Sequence, residues 1–177
     1  MDALPVGVRI SLVGLAYFVL ARLGLEFATI AANISPVWPP SGLALGALIV
    51  GGRRLWPGVA VGALAAAISA GASPLAAVLM ATGNTLEPLV TVSLLRWLFE
   101  FRDDFTRPQD VVGFILVLGL AGAPLSALVG TGALVLAGDV PRAEFVAAVL
   151  TWWAGNFTGG LVIGPLLIAA HQMLGRV

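Results

Sequence analysis

The sequence predicts an all-α fold: a polytopic integral membrane bundle of six transmembrane helices, with both termini cytoplasmic. Three observations lead there. Hydrophobic residues make up 59% of the 177 positions and charged residues only 10%, where an ordinary soluble domain carries about a quarter charged. Apolar stretches of roughly 20 residues, the length that crosses a hydrocarbon core as a helix, recur along the whole chain. None alternates with the period of a barrel strand, and only helices and closed barrels satisfy their own backbone in lipid.

The spans follow in order. The first, residues 4–28, resembles a signal peptide in length. Asp2 acidifies its start, Arg22 and Glu26 follow the apolar run, and no small-x-small cleavage site is evident, so it reads as a retained helix. The second covers 37–50, the third 55–70, the fourth 74–99, the fifth 110–136 and the sixth 144–173. The links "ISP", "GGRR", "GASP" and "AGDVPR" are short, and "EFRDDFTRPQD" at 100–110 is the one strongly charged loop. One domain, 1–177, is expected. A rival seven-span count splits the fifth span at "GAPLS", residues 122–126. A kink at Pro124 accounts for the same residues without an extra crossing.

Arginine placement orients the bundle. With the N-terminus in the cytoplasm, Arg9, Arg53, Arg54, Arg96, Arg102, Arg107 and Arg176 fall on the cytoplasmic side, and only Arg22 and Arg142 fall outside. Gly42/Gly46, Gly58/Gly62, Gly155/Gly159 and Gly160/Gly164 are small-x-x-x-small pairs, which let helix backbones approach closely.

Polar groups interrupt three spans. The second opens with Trp38-Pro39-Pro40-Ser41-Gly42. A residue before proline is pushed away from helix, so 37–40 is expected to be extended, with regular helix from Ser41. That helix is about 15 Å long, half a membrane. Irregular backbone survives at such depth only inside protein or beside a wet cavity. The fourth span carries "GNTLEP", in which Asn84 and Glu87 share one face. Pro88 there has no N–H for the carbonyl of Asn84, and Thr85 adds a hydroxyl. The sixth carries "TWWAGNFTGG", with Trp152, Trp153 and Asn156 deeper than an interfacial aromatic belt. In this topology all three clusters lie between the outer interface and the midplane. They are expected to line one outward-opening ligand pocket: Trp38, Pro39, Pro40, Ser41, Asn84, Glu87, Trp152, Trp153 and Asn156. Arg22 and Glu26, four apart, are expected to pair at its edge. Each group also has a structural reading: interfacial anchors for the prolines and tryptophans, interhelical glue for Asn156, and a register-fixing network with Arg22 or Arg96 for Asn84 and Glu87.

Several classes of function are excluded. There is no Cys and a single histidine, His171, so thiolate and His-rich metal centres, a haem-type His pair and a Ser/His dyad opposite Ser41 are not expected. No catalytic aspartate pair lies within the spans. No metal or other cofactor is expected, and the chain is read as non-enzymatic. Net charge is zero and no basic patch exists, so nucleic acid is not a partner; the lipid bilayer is.

Four motifs carry a family resemblance. "WPPSG" (38–42), "GGRRLWPG" (51–58), "GNTLE" (83–87) and the Trp-Trp stretch from Trp152 to Pro165 occur in this order. Together they resemble the first-described type of bacterial membrane-associated sensor domain, the MASE family, across about 36–167. The resemblance implies an inner-membrane, multi-pass sensory module of bacterial signal transduction. It would bind a small extracytoplasmic ligand or sense membrane state. Its output would be a cytoplasmic histidine kinase or cyclic-dinucleotide enzyme, in cis or in trans, and a homodimer is compatible with it. Asn156 stands where the family commonly has an acid, which removes a charge. No output domain occurs within the 177 residues, so the expectation is a stand-alone or truncated member. The competing class is a small-solute binding or transport protein, similar to the substrate-binding subunits of energy-coupling-factor transporters.

Overall fold

The computed structural model describes residues 4–28 and 34–174, and in these the chain is built of helices. Asp2 and Arg176 lie outside the described residues. Helix α1 spans Val6–Leu25, α2 Pro39–Gly51, α3 Trp56–Ser69 and α4 Pro74–Phe99. Helix α5 (Pro108–Val117) runs through a π turn at Leu118–Gly122 into α6 (Ala123–Ala137), and α7 spans Phe145–Leu174. Four rods are long and apolar enough to cross a membrane: Val6–Leu25, Pro74–Phe99, Pro108–Ala137 and Arg142–Leu174. Helices α2 and α3 are shorter, with 13 and 14 residues.

Proline and small polar residues set most helix starts. Ser73 caps α4 by accepting a bond from the Ala76 N–H at 3.3 Å, and Pro74 follows at the first helical position, where its missing N–H costs nothing. The same rule corrects the expectation for the second span. Pro39 and Pro40 do not precede the helix; they are its first turn, and the break lies one residue earlier, at Trp38 (φ −125°, ψ 79°). In the fifth span the irregularity is the π turn at 118–122, just ahead of Pro124, and the rod continues through it. A proline at 124 cannot donate to the carbonyl of Leu120, and the widened turn absorbs that loss without a loop.

The rods form a ring in the order α1, α3, α4, α5–α6, α7, α2, closed by α1 against α2, and α2 also touches α4 across the middle. Glycine sets how close the neighbours come. A methyl on Gly62 would sit 2.6 Å from the Gly14 carbonyl oxygen, so α1 and α3 meet backbone to backbone. Between α2 and α7, Gly42 faces the backbone of Gly159 and Gly164. Large apolar side chains such as Leu15, Val61, Leu75, Leu120 and Leu166 point outward and are more than half exposed. That surface suits lipid, since water-soluble monomers rarely expose contiguous apolar patches of such extent.

One end of the ring gathers charge. Arg9 donates to the Gly51 carbonyl at 3.0 Å, Arg53 to the Ser93 hydroxyl at 3.1 Å, and Gln172 near the end of α7 to the Asp103 carbonyl at 2.7 Å. In the same 100–110 segment, Arg107 grips the fully buried Asp110 through Nε (2.8 Å) and Nη2 (2.7 Å). At the opposite end Arg22 of α1 reaches the carbonyl and hydroxyl of Ser69, closing α3.

Candidate polar site in the bundle core

The site is built where α2, α4, α6 and α7 converge. Glu87, midway along α4, is 1% exposed and accepts a hydrogen bond at Oε2 from the Asn156 amide of α7. The hydroxyls of Ser41 on α2 and Ser126 on α6 stand beside the same carboxyl. Asn84, one turn before Glu87, accepts from the Ser126 hydroxyl at 3.1 Å through Oδ1. Glu87 Oε1 has no hydrogen-bond partner among the described residues. Among the described residues no arginine acts on this carboxyl; Arg9, Arg22, Arg53 and Arg107 are engaged at the two ends of the bundle. A carboxylate at membrane depth costs about 3 kcal/mol on insertion scales, so the hydroxyls and amides must carry the stabilisation that a salt bridge supplies elsewhere.

The tandem-proline segment adjoins this cluster through Trp38. Its backbone N–H donates to the Gly155 carbonyl of α7 at 3.1 Å, and its carbonyl presses on Gly159, where any Cβ would overlap it. Its indole Nε1–H donates to the buried Tyr17 hydroxyl of α1 at 3.4 Å. Pro39 is half-buried, and Pro40 and Ser41 are buried. Trp38, Asn84, Trp152 and Asn156 line a cavity of about 20 Å³ together with Ser35 and Met80, room for about one water. Trp152 lies across Gly130 of α6.

Several expected members stand elsewhere. Trp153, next in sequence to Trp152, is turned by about 100° on the helix. It donates to the Gly119 carbonyl in the π turn at 2.8 Å and stacks on Phe157, with centroids 5.4 Å apart. It thus binds α7 to the irregular turn and does not line the cavity. The Thr85 hydroxyl returns to the Ala81 carbonyl of its own helix at 2.7 Å. Arg22 and Glu26 are both exposed, and Arg22 bonds Ser69 rather than Glu26; reaching the end of α3 satisfies a helix-terminal carbonyl, which an exposed i,i+4 pair does not. The polar network that clamps α4 uses hydroxyls and amides, and neither Arg22 nor Arg96 joins it. Tyr17 and Ser126 were not foreseen. Each is a single polar residue in an apolar run, with no spacing to single it out.

A ring of apolar helices with a desolvated carboxyl held between them is a membrane-embedded domain with a polar core. The MASE1 family profile matches residues 10–176, nearly the whole chain. The chain therefore belongs to the MASE1 family of membrane sensor domains. It is also similar to the "probable diguanylate cyclase DgcE" of Escherichia coli (strain K12), 28% identical over 167 residues, which cover 91% of this chain and 15% of that protein. No solved structure matches.

Proposed function

We propose that the chain is the membrane input module of a bacterial signalling system, crossing the inner membrane six times with both ends in the cytoplasm. The arginine-rich end, with Arg9, Arg53 and Arg107, is the cytoplasmic face, in keeping with the positive-inside rule. The shorter α2 and α3 complete the six crossings. The small cavity beside Trp38 and Trp152 then lies in the outer half. An extracytoplasmic ligand, or a change in the membrane, would act there by favouring one packing of α7 over another. A cavity with room for one water takes nothing larger unless helices part, and that parting would be the signal. Helix α7 would carry it inward to a histidine kinase or a cyclic-dinucleotide enzyme. Membership in a sensor family and similarity to a probable diguanylate cyclase support the cyclic-dinucleotide choice.

The observation that carries this reading is the Glu87–Asn156 bond. It ties the middle of α4 to the helix nearest the output, at the level of the proline break. A transport role draws less support, because the cavity beside Trp38 and Trp152 has room for about one water. The test joins the chain to a diguanylate cyclase domain in bacterial cells and measures cyclic dinucleotide. Glu87→Gln and Asn84→Ala are expected to change output severalfold at unchanged membrane abundance. Output equal to the unaltered fusion in both variants would defeat the reading.

A further inference from the structure

The carboxyl at the centre of the bundle is incompletely satisfied, and the groups around it share one chemistry. Glu87 Oε2 is bonded and Oε1 is not, in a residue 1% exposed. Its neighbours Ser41 and Ser126 offer hydroxyl oxygens. Pro88 has no N–H to occupy the Asn84 carbonyl, so that oxygen also lies free of its usual helical bond one turn away. On the same face of α4, fully buried Thr91 leaves its hydroxyl without a partner. Thr82, Thr85, Thr151 and Thr158 show the usual alternative, each returning its hydroxyl to the carbonyl four residues back. Hydroxyl oxygens from α2 and α6 thus stand beside the α4 carboxyl, with the Asn84 and Thr91 oxygens one turn to either side along α4.

We propose that Glu87 Oε1, with the oxygens of Ser41, Ser126 and Asn84, is a site for a single dehydrated monovalent cation of sodium size. Hard cations select oxygen donors. Here one carboxylate stands among neutral donors, so one positive charge leaves the core neutral, whereas a divalent ion would leave it charged in a low-dielectric surrounding. Among the described residues no group of three His, Cys, Asp or Glu side chains exists to hold a transition metal or a divalent ion. The adjoining cavity of about 20 Å³ has room for one water to complete the ion's shell. Proline-interrupted helices with freed carbonyls supply sodium sites in membrane transporters by the same physics. Among the described residues, the titratable group that interacts with the carboxyl from a neighbouring element is Tyr17 on α1, which bonds Trp38.

This assignment deepens the sensory reading by naming its ligand class, and it is tested on binding alone. The full chain in lipid nanodiscs is unfolded by heat while sodium chloride replaces choline chloride, at fixed ionic strength and fixed pH. The expected result is a saturable rise in the midpoint with sodium, weaker with potassium. Ser126→Ala should raise the half-saturating sodium concentration about tenfold or more, and Glu87→Gln should abolish the dependence. Arg142→Ala, at the outer end, should retain it. A wild-type midpoint indifferent to sodium overturns the proposal. So does an unchanged sodium dependence in both Ser126→Ala and Glu87→Gln, or a midpoint that follows pH and ignores sodium. If sodium binds but the cyclase fusion ignores it, the site stands and the sensory reading loses its ligand.

Discussion

Replacing Gly159 by alanine sets two effects of opposite sign against each other, and the structure decides between them. Within a helix, glycine to alanine gains up to about 1 kcal/mol. At Gly159 of α7, however, the added Cβ falls on the Trp38 carbonyl oxygen and lies 2.6 Å from its carbon and 3.2 Å from the Pro39 nitrogen. These are backbone atoms at the start of α2, fixed by two prolines, so no rotamer can relieve the overlap. Restoring carbon contact to about 3.5 Å requires α2 and α7 to separate by about 1 Å. Overpacking of this kind costs about 1–3 kcal/mol or more, and here it also strains the Trp38–Gly155 bond. Net destabilisation of about 1–2 kcal/mol is expected after the gain in propensity. Gly132 of α6 is the control, because nothing lies within 4 Å of its added Cβ, and alanine there should stabilise by a few tenths to 1 kcal/mol. Both are read as unfolding midpoints of the purified protein in one detergent. If Gly159→Ala proves as stable as Gly132→Ala, the close α2–α7 contact described here is wrong.

Other substitutions probe the rest of the bundle. Asn156→Ala removes the amide donor to Glu87 Oε2 and is expected to cost about 1.5–3 kcal/mol, as bonds to charged groups do; Asn84→Ala, which loses the Ser126 bond, should cost about 1 kcal/mol in the same unfolding assay. Asp110→Asn weakens the two-pronged grip on Arg107, so the 100–110 segment should be cut faster by trypsin in inside-out vesicles, with no change if that grip is unimportant. Trp153→Phe keeps the ring that stacks on Phe157 but removes the donor to Gly119. It should lower the unfolding free energy by about 1 kcal/mol while leaving sodium dependence intact.

Much of the fold was legible because proline, glycine and arginine act locally. The fourth span, expected at 74–99, coincides with α4 because Ser73-Pro74 begins it and a left-handed Glu100 (φ 47°) ends it. Glycine pairing gave the tight faces of α2, α3 and α7. The start of the second helix was expected at Ser41 and lies two residues earlier, at Pro39, because two adjacent prolines fit the first turn of a helix as well as they break its middle. Of the site, Asn84, Glu87 and Asn156 were legible as costly polar groups within apolar spans. Their partners were not. Ser126, Tyr17 and the turn of Trp153 toward Gly119 depend on which helices become neighbours, and period and spacing within one helix carry no such information. The size of the cavity was also beyond the sequence, since it depends on how closely Trp38 and Trp152 fold over the two asparagines.

The central claim is that α4 and α7 exchange information through the carboxyl of Glu87. A double-mutant cycle in the cyclase fusion tests this most directly, with Glu87→Gln, Asn156→Ala and the pair compared for cyclic-dinucleotide output. The account predicts strong non-additivity, with the double variant no further altered than the stronger single one, as for residues sharing one interaction. Effects on output that simply multiply would mean that the two side chains act independently, contradicting the account.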